Sequence, residues 1–362
     1  MSYLKRIAAS YQDAHLSDEE LSYYSRHLLL PGIGGAGQKK LKAARVLVVG
    51  AGGLGCPVLE ALVGAGVGTI TIVDADTVSM TNLARQWLYS SADVGASKVK
   101  TAKEVLSARN PFIRIETVDV MLDPENAEAL IATHDLVVDA TDTVVARYLI
   151  DLVCAKLDRP WVHGALYRGS GQVSVFWERC HALYAGLYPQ KSSAPSCAGA
   201  GVLGVTASII GNLEAQEVIK LITGNAMPSV GLLRIFDTTQ LQLSHMQLPG
   251  ITCPERFEAE QTMHDFSMDR DELEQRLSIG ERFRITDLRP AESYARGHLP
   301  DAENVSLESL LSALPEMDPE LDWILYCEEG SMSALLVDAL RGRGYDKAYH
   351  LCDGYRALVG SY

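Results

Sequence analysis

The sequence predicts an α/β protein in which a larger domain with a mixed sheet is followed by a smaller α/β domain. Three observations support this prediction. Apolar, strand-like runs alternate with amphipathic helical patterns in the first half of the chain. Runs that alternate apolar and polar residues come next. After a segment without periodicity, the alternation of strand and helix resumes for about 100 residues.

Short apolar runs separated by helical patterns make up the first half. In order along the chain they are RVLVVG, LGCPVLEALVGAG, TITIVDAD, SKVKTAKEVLSARN, IRIETVDV, NAEALIATH, DLVVDATD and VARYLIDLVCAKL. Strands that are apolar throughout are typical of a parallel sheet with helices on both faces. This part therefore predicts parallel strands joined by helices.

The pattern changes after Trp161. WVHGALYRGSGQVSVFW and GLLRIFDTTQLQLSHMQL alternate apolar and polar residues, as antiparallel strands do. Between them, VTASIIGNLEAQEVIKLITG predicts a long helix that ends at Gly224, because glycine is favoured at helix C-caps. The sheet of the first domain is therefore predicted to be mixed.

A segment with proline, glycine and charge but no periodicity, LPGITCPERFEAEQ, separates the two domains. Beyond it, FRITDL, WILYC and KAYHLC alternate with helical patterns. We therefore predict a first domain over 1–247, a linker over 248–262 and a second α/β domain over 263–362.

Composition argues against several classes of function. The chain has 46 acidic and 32 basic residues and a net charge of -14, which disfavours nucleic-acid binding because phosphates favour basic surfaces. No stretch reaches the roughly 18 consecutive apolar residues of a transmembrane helix, and the first residues lack the apolar core of a signal peptide. We expect a cytoplasmic protein without a membrane partner.

The stretch LVVGAGGLG places glycines between a predicted strand and a predicted helix. Gly50, Gly52 and Gly55 at this turn allow a phosphate to approach the backbone and the N-terminus of the helix. Asp74, at the end of the next strand, is placed to accept hydrogen bonds from ribose hydroxyls. These features fit NAD and ATP equally well.

Polar and cationic side chains beyond Asp74 favour ATP. They supply more phosphate-directed donors than the two phosphates of NAD require, whereas a triphosphate requires them. They are Asn82, Arg85, Gln86 and Lys98.

Four motifs resemble a known family: GAGGLGCPV, VDADTVSMTNLARQ, VGASKV and VVDATD are similar to motifs of adenylyltransferases related to ubiquitin-activating enzymes. These enzymes activate the sulfur carriers of molybdopterin and thiamin synthesis. The resemblance covers residues 15–247, including YYSRHLLLPGIGGAGQKKL near the start. It implies a Rossmann-like adenylation domain that acts as a homodimer, with Arg26 reaching into the partner's nucleotide site.

The family resemblance also implies the ligand-binding residues. In such enzymes a carboxylate attacks the α-phosphate of ATP, giving an acyl adenylate and pyrophosphate. Asp142 would bind Mg²⁺, while cations offset the charge on the phosphates. Thr143 stands where the family usually has asparagine. The residues implied to bind ATP are Gly50, Gly52, Gly53, Gly55, Asp74, Asp76, Asn82, Arg85, Gln86, Lys98, Asp142 and Thr143.

Seven widely spaced cysteines without a CxxC pair predict neither a disulfide framework nor a zinc site. The adenylating family commonly has two CxxC pairs that bind zinc, but here Cys180 and Cys253 stand alone. Because tetrahedral zinc needs four ligands, no zinc is predicted. Cys56, Cys154 and Cys352 are interpreted as structural.

Two cysteines are candidate nucleophiles. Cys197, in APSCAGAGVLGV, matches the position at which the adenylating family links covalently to its carrier. Cys327, in ILYCEEGSMSALLV, follows a predicted buried strand and precedes a glycine-containing loop and a helix, a geometry that directs backbone N–H groups at a thiol. TDLRPAESYARGHLPDAENVSL and HLCDGYRAL resemble a rhodanese domain over residues 263–362, which implies that Cys327 carries a sulfane sulfur.

The loop after Cys327 departs from many rhodanese domains, which place basic residues around the cysteine. Glu328 and Glu329 stand here instead. If they point at the thiol, they raise its pKa and repel anionic donors. We therefore expect a persulfide donor, such as a cysteine desulfurase, rather than thiosulfate.

These inferences combine into one expected activity. The first domain adenylates the C-terminal glycine of a small ubiquitin-like sulfur-carrier protein, and the Cys327 persulfide then converts the adenylate to a thiocarboxylate. Such a product would serve the synthesis of molybdopterin, thiamin, cysteine or a related sulfur metabolite. Three alternatives stay open: adenylation of a peptide or small-molecule carboxylate, an NAD-dependent dehydrogenase fused to a sulfur-binding module, and a rhodanese domain that only docks partners.

Overall fold

A computed structural model of the chain divides it into two units, one of Met1–Asp13 and Lys40–Glu258 and the other of Ala14–Lys39 and Ala259–Tyr362. The predicted boundaries at 247 and 263 remain predictions, since most of the predicted linker lies outside the described residues. The structure describes residues 11, 13–30, 32–188, 201–248, 266–281, 283–306, 309–310, 318, 320–341, 344–352 and 354–359.

Strands and helices alternate in the first unit as the sequence predicts. The strands are β1 (Arg45–Val49), β2 (Thr69–Val73), β3 (Arg114–Val118), β4 (Leu136–Asp139), β5 (Trp161–Tyr167), β6 (Ser170–Phe176), β7 (Leu232–Asp237) and β8 (Gln242–Gln247). The helix α3 (Gly34–Ala43) crosses the division of the chain between Lys39 and Lys40, so it belongs to both units. The other helices are α4 (Gly55–Ala65), α5 (Lys98–Arg109), α6 (Ala127–Ala132), α7 (Val144–Leu157), α8 (Tyr184–Leu187) and α9 (Gly204–Thr223). Two short helices of the second unit precede them, α1 (Asp18–Tyr23) and α2 (Ser25–Leu28).

The strands of the first unit form one 8-stranded sheet in the order β3-β2-β1-β4-β5-β6-β7-β8. Neighbours from β3 to β5 are parallel, and those from β5 to β8 are antiparallel, so the predicted mixed sheet is confirmed. Chain order reverses between β1 and β4. Ligands of such sheets bind at this reversal, beyond the carboxyl ends of the strands.

Burial of the parallel strands explains their continuous apolar sequence. Val46, Val48 and Ile72 point into one buried cluster, whereas Leu47 and Val49 point into another on the opposite face. The long helix α9 covers the first face and ends at Gly224, whose φ of 72° is left-handed. The sheet is therefore enclosed on both faces where it carries the glycine loop.

A 5-stranded parallel sheet organises the second unit, in the order β11-β10-β12-β13-β9. The strands are β9 (Ser267–Met268), β10 (Arg284–Asp287), β11 (Ala302–Asn304), β12 (Trp323–Tyr326) and β13 (Ala348–Leu351). The helices are α10 (Arg270–Ser278), α11 (Ala291–Arg296), α12 (Ser331–Arg341) and α13 (Gly354–Val359). Within the described part of the chain, no helix combines the length and apolar character that crossing a membrane requires.

Candidate active site

A cavity of about 310 Å³ lies at the carboxyl ends of β1, β2 and β4, at the reversal of strand order. The structure brings together there nearly all of the residues that the sequence singles out for nucleotide binding. Those lining the cavity are Gly50, Gly52, Gly53, Asp74, Asp76, Asn82, Arg85, Gln86, Lys98, Asp142 and Thr143.

The glycine loop at one wall of the cavity has no room for side chains at two positions. Gly50 has a φ of 102°, and a Cβ on it would lie 2.6 Å from the carbonyl oxygen of Ala140. Gly55 starts α4, and a Cβ there would lie 2.1 Å from the carbonyl oxygen of Gly50. Gly55 therefore acts on the site indirectly, by letting the helix begin directly against the loop.

The variant Gly55→Ala should disrupt this wall, because its methyl group would overlap fixed backbone rather than a movable side chain. We expect a loss of roughly 3 kcal/mol in the free energy of unfolding, together with loss of ATP binding, measured by urea denaturation and calorimetric titration. Gly64→Ala in the same helix is the matched control, since nothing lies within 4 Å of its added Cβ. Equal behaviour of the two variants would contradict this account.

The carboxylate of Asp74 is fixed by backbone groups. Its Oδ2 accepts the N–H of Ala51 at 2.7 Å, and its Oδ1 accepts the N–H of Asp76 at 2.8 Å. These bonds join the end of β2 to the glycine loop after β1. Each carboxylate oxygen has a second lone pair, so Asp74 retains acceptor capacity toward the cavity.

Lys98 carries a nearly buried positive charge at the cavity wall. Its Nζ donates to Asp76 Oδ2 at 2.8 Å, with side-chain exposures of 5% for Lys98 and 67% for Asp76. Arg85 is half-buried and donates through Nη1 to the carbonyl oxygen of Thr81 at 3.0 Å. Both cations are thus held in place beside the cavity.

Gln86 supplies a direct sign that the cavity accepts a polar ligand. Its side chain is 3% exposed, and its Oε1 has no hydrogen-bond partner among the residues the structure describes. An unsatisfied buried acceptor destabilises a protein unless a donor reaches it. Amino and hydroxyl groups of a nucleotide are donors of the required kind, so these residues fit ATP.

Asp142 and Thr143 lie between β4 and α7, and Thr143 is the N-cap residue of α7. Asp142 and Asp76 place two carboxylates on the wall of the same cavity. Mg²⁺ is usually bound by one or two carboxylates together with substrate phosphates, so this donor set fits the ion. The residues that the structure describes contain no cluster of three or more His, Cys, Asp or Glu side chains arranged for a metal.

A buried ionic network beneath the cavity was missed in the sequence. Asp139, at the end of β4, accepts hydrogen bonds from Arg147 Nε at 3.1 Å and from His163 Nδ1 at 3.3 Å. Burial raises the pKa of Asp139, but His163 and Arg147 outweigh it and hold that pKa below its usual value. Arg147 also lines the cavity. The sequence did contain one signal for Arg147: it lies one turn into α7, shortly after Asp142.

Glu214, on α9, is a buried carboxyl without a hydrogen-bond partner among the described residues. It rests against β5, where a Cβ on Gly164 would lie 2.2 Å from its Cδ. Burial raises the pKa of Glu214 well above its ordinary value, and the negative charge of Asp139 raises it further. The folded protein therefore holds Glu214 as a neutral acid.

Stability should consequently fall as pH rises above the unfolded pKa of Glu214, because the unfolded chain loses this proton first. We expect Glu214→Gln to remove that loss and to raise the free energy of unfolding at pH 8 by roughly 1–3 kcal/mol, with a smaller change at pH 5. Denaturant melts at both pH values measure the effect.

Glu217→Gln is the control for Glu214→Gln. The carboxylate of Glu217 accepts hydrogen bonds from the Ser229 backbone N–H at 2.7 Å and from Lys220 Nζ at 2.8 Å. Its replacement should destabilise the protein at pH 8. A loss of stability in Glu214→Gln at pH 8 would contradict the assignment of a neutral acid.

Cys327 follows β12 in the second unit and is 6% exposed. Its Sγ lies 3.6 Å from the Oγ of Ser333, which in turn donates to the carbonyl oxygen of Gly330 at 3.0 Å. The segment at the start of α13 packs behind this loop, since Tyr355 donates its N–H to the carbonyl oxygen of Cys327 at 2.8 Å.

Two arginines from distant segments pair with the acidic residues of the Cys327 loop. Glu328 lies 3.5 Å from Arg289 Nη1, and Glu329 lies 2.9 Å from Arg356 Nη1. Arg289 is itself held by Asp287 at 2.7 Å. These pairings offset the repulsion of anionic donors that we expected from the sequence, and no local sequence pattern signals them.

Four other residues singled out in the sequence, three cysteines and one arginine, either are not among the residues described at these sites or lie outside the described residues. Arg26 is exposed on α2 and is not among the residues that line the cavity. Cys180 is buried and engaged in a disulfide bond, so the expectation that this cysteine stands alone was wrong. Cys197 and Cys253 lie outside the described residues, so the nucleophilic role of Cys197 remains a prediction.

Comparison with known proteins yields two family matches. The model of the ThiF family matches residues 24–254, and that of the rhodanese-like domain matches residues 269–360. A probable adenylyltransferase/sulfurtransferase MoeZ of Mycobacterium tuberculosis is 37% identical over 363 residues, covering 94% of this chain and 93% of that protein. The Escherichia coli molybdopterin-synthase adenylyltransferase is 41% identical over 239 residues, covering 65% and 95%.

Among solved structures, Escherichia coli MccB with AMPCPP and MccA superposes with a TM-score of 0.56. The match has 21% sequence identity and covers 68% of this chain and 77% of that one. At this identity the likeness concerns the fold alone.

Proposed function

Because the chain belongs to the ThiF family and carries a rhodanese-like domain after it, we propose that it activates a carboxylate with ATP and then transfers sulfur to it. The enzyme class is that of its relatives, an adenylyltransferase and sulfurtransferase. The acyl substrate we propose is the C-terminal glycine of a small ubiquitin-like sulfur-carrier protein. The observation that carries the proposal is the convergence of the predicted nucleotide-binding residues on one cavity.

In the adenylation step the protein contributes position and charge. The glycine loop and the N-terminus of α4 face the phosphates of ATP, and Asp74 accepts hydrogen bonds from ribose. Lys98 and Arg85 offset the negative charge that builds up on the α-phosphate when the carboxylate attacks it. Asp142 would hold Mg²⁺, which supplies Lewis-acid stabilisation of the phosphates. Pyrophosphate leaves, and an acyl adenylate remains.

In the sulfur-transfer step Cys327 acts as the nucleophile. A persulfide on Cys327 attacks the acyl carbon and displaces AMP, so that the carrier is joined to Cys327 through a disulfide until a thiol releases it as a thiocarboxylate. The sulfur reaches Cys327 from a persulfide donor, for example a cysteine desulfurase. Cys197 is proposed as a second site of covalent attachment.

A homodimer is part of the proposal, with Arg26 serving the partner's nucleotide site. Val145 and Leu152 on α7 support it, since they are seven residues apart on one helix face and are 77% and 69% exposed. Large exposed apolar patches commonly mark protein interfaces. Cytoplasmic location and the absence of structural zinc remain proposals of the same kind.

The decisive experiment is intact-mass analysis of candidate carriers incubated with the enzyme, MgATP and a persulfide donor. Conversion of a C-terminal carboxylate to a thiocarboxylate, dependent on ATP, is the expected result. Carrier-independent hydrolysis of ATP, or adenylation of a free peptide without sulfur transfer, would instead favour the first alternative. Binding of NAD without binding of MgATP would favour the dehydrogenase.

A further inference from the structure

Two cysteines of the second unit come directly after neighbouring strands, Cys327 after β12 and Cys352 after β13. In the parallel ladder of β12 and β13, Leu325 is aligned with His350. Continued one residue beyond the end of each strand, this register would place Cys327 level with Cys352. The N–H of Cys352 donates to the carbonyl oxygen of Met268 at 2.8 Å, which carries the hydrogen bonding of β13 with β9 on to Cys352.

The alternation of side chains along β12 and β13 would direct both cysteines to the same face of the sheet. Trp323 and Leu325 of β12 lie in one apolar cluster together with Cys327 and with Ala348 of β13. Leu351 lies in the cluster on the opposite face. Successive residues of a strand alternate between faces. Continued from Leu351, this alternation would direct Cys352 to the face of Ala348, which is also the face of Cys327.

The spacing permits a disulfide between them. Aligned residues of neighbouring strands lie about 4.8 Å apart, and disulfides join residues whose Cα atoms are about 4.4–6.8 Å apart. Neither cysteine is in a disulfide in the structure, and Cys352 is half-buried whereas Cys327 is buried. The chain after Cys352 stays against the Cys327 loop, since a Cβ on Gly354 would lie 2.6 Å from the carbonyl oxygen of Cys327.

We propose that Cys352 is the thiol that releases the product from Cys327. This inference rests on the proposed function. After the Cys327 persulfide has displaced AMP, the acyl group is joined to Cys327 by an S–S bond. The thiolate of Cys352 attacks Sγ of Cys327. A bond forms between the two cysteine sulfurs, and the bond to the acyl sulfur breaks.

The acyl sulfur leaves with the electron pair as a thiocarboxylate, and the proton of Cys352 passes to solvent. Cys327 and Cys352 are left oxidised as a disulfide, and the acyl disulfide has been reduced by two electrons. An external dithiol then reduces the cysteine pair and readies Cys327 for the next persulfide. Release is intramolecular, which gives it an effective concentration that a free thiol lacks.

The test uses the full chain and an aromatic disulfide, dithiobisnitrobenzoate, in place of the acyl group. Attack by Cys327 forms a mixed disulfide and releases one aryl thiolate. Attack by Cys352 on Cys327 then releases the second, because an aryl thiolate is a good leaving group, as a thiocarboxylate is. Aryl-thiolate absorbance follows the rate, and peptide mass mapping identifies the linked cysteines.

In the wild-type chain we expect a Cys327–Cys352 disulfide. In Cys352→Ser and Cys352→Ala we expect the aryl adduct on Cys327 to last about 100-fold longer. Cys154→Ala, at a free cysteine in the apolar core of the first unit, is the matched control and should behave as the wild type. Thermal melts of all variants check that the fold is retained.

Absence of the Cys327–Cys352 disulfide, or equally fast loss of the adduct in both Cys352 variants, would overturn the proposal. So would an adduct that persists only in Cys197→Ser, since Cys197 would then be the releasing thiol. Neither ATP nor a carrier is present in this experiment. If the carrier assay is negative and the aromatic-disulfide assay is positive, the proposed substrate is rejected. The assignment of Cys352 as the thiol that attacks Cys327 is then retained.

Discussion

We expect Cys327→Ser to lose thiocarboxylate formation by at least about 1000-fold while retaining carrier-dependent exchange of pyrophosphate into ATP. A serine hydroxyl cannot carry a sulfane sulfur, so the second reaction has no donor atom. The adenylation cavity contains only residues of the first unit, and its lining is unchanged by this substitution. Intact-mass analysis of the carrier and the exchange assay measure the two activities separately.

Residual sulfur transfer near the wild-type rate would contradict the assignment of Cys327, since the sulfane sulfur would then be carried by another cysteine. Loss of both activities in a variant with an unchanged melting temperature would contradict the expected independence of the two reactions. Burial of Cys327 makes a thermal melt of the variant a necessary control.

Lys98→Ala should reduce the rate of adenylation by roughly 100- to 1000-fold. A nearly buried cation at the cavity wall stabilises the negative charge of the phosphates more strongly than a cation in water does. Lys98 is already paired with Asp76 and nearly buried. When a triphosphate binds, it replaces Asp76 as the anionic partner, so ATP binding carries little additional cost of removing water from Lys98. Removal of Lys98 also leaves the charge of Asp76 unopposed beside the phosphates. Pyrophosphate exchange and ATP affinity measure the loss.

Lys100→Ala is the matched control for Lys98→Ala. Lys100 lies on the same helix, α5, but is 70% exposed and pairs with Asp119 at 3.1 Å on the surface. Exposed pairs of this kind contribute about 0–1 kcal/mol, so this variant should adenylate normally. A similar defect in both variants would mean that the net charge of α5 matters rather than the position of Lys98.

Much of the fold follows from local patterns in the sequence. Continuous apolar runs such as Val46–Val49 predict parallel strands because both faces are buried, and the alternation after Trp161 predicts the antiparallel half. Gly224 ends α9 because a left-handed residue closes a helix, and glycine adopts that conformation without strain. These signals lie within a few residues of the features they specify.

The convergence of the proposed nucleotide-binding residues on one cavity has a related explanation. Gly50, Asp74 and Asp142 each follow the carboxyl end of a parallel strand, and such ends meet at one edge of a sheet. A sequence that predicts parallel strands therefore also predicts that residues after those strands lie near one another. Arg147 escaped notice because its role depends on Asp139 and His163, and no local pattern marks such a buried trio.

The charges around the Cys327 loop could not be predicted from the residues next to Cys327 in the sequence. Glu328 and Glu329 stand beside the cysteine in sequence, but their partners Arg289 and Arg356 come from the end of β10 and from α13. Charge at a site is a sum over space, not over neighbours in the chain. The sequence therefore suggested a repulsive loop where the structure has paired charges.

The mixed sheet has a consequence for how the chain folds during synthesis. The β5–β6 hairpin joins positions close in sequence, with Trp161 opposite Phe176, so its pairing can form soon after it is made. One edge of β1, by contrast, is completed only by β4, where Val46 meets Leu136. The strand that carries the glycine loop, β1, is thus synthesised early, but its second edge is paired only after β4 has been synthesised. During that interval an apolar strand edge is exposed, and protection by chaperones matters most for the nucleotide-binding half of the sheet.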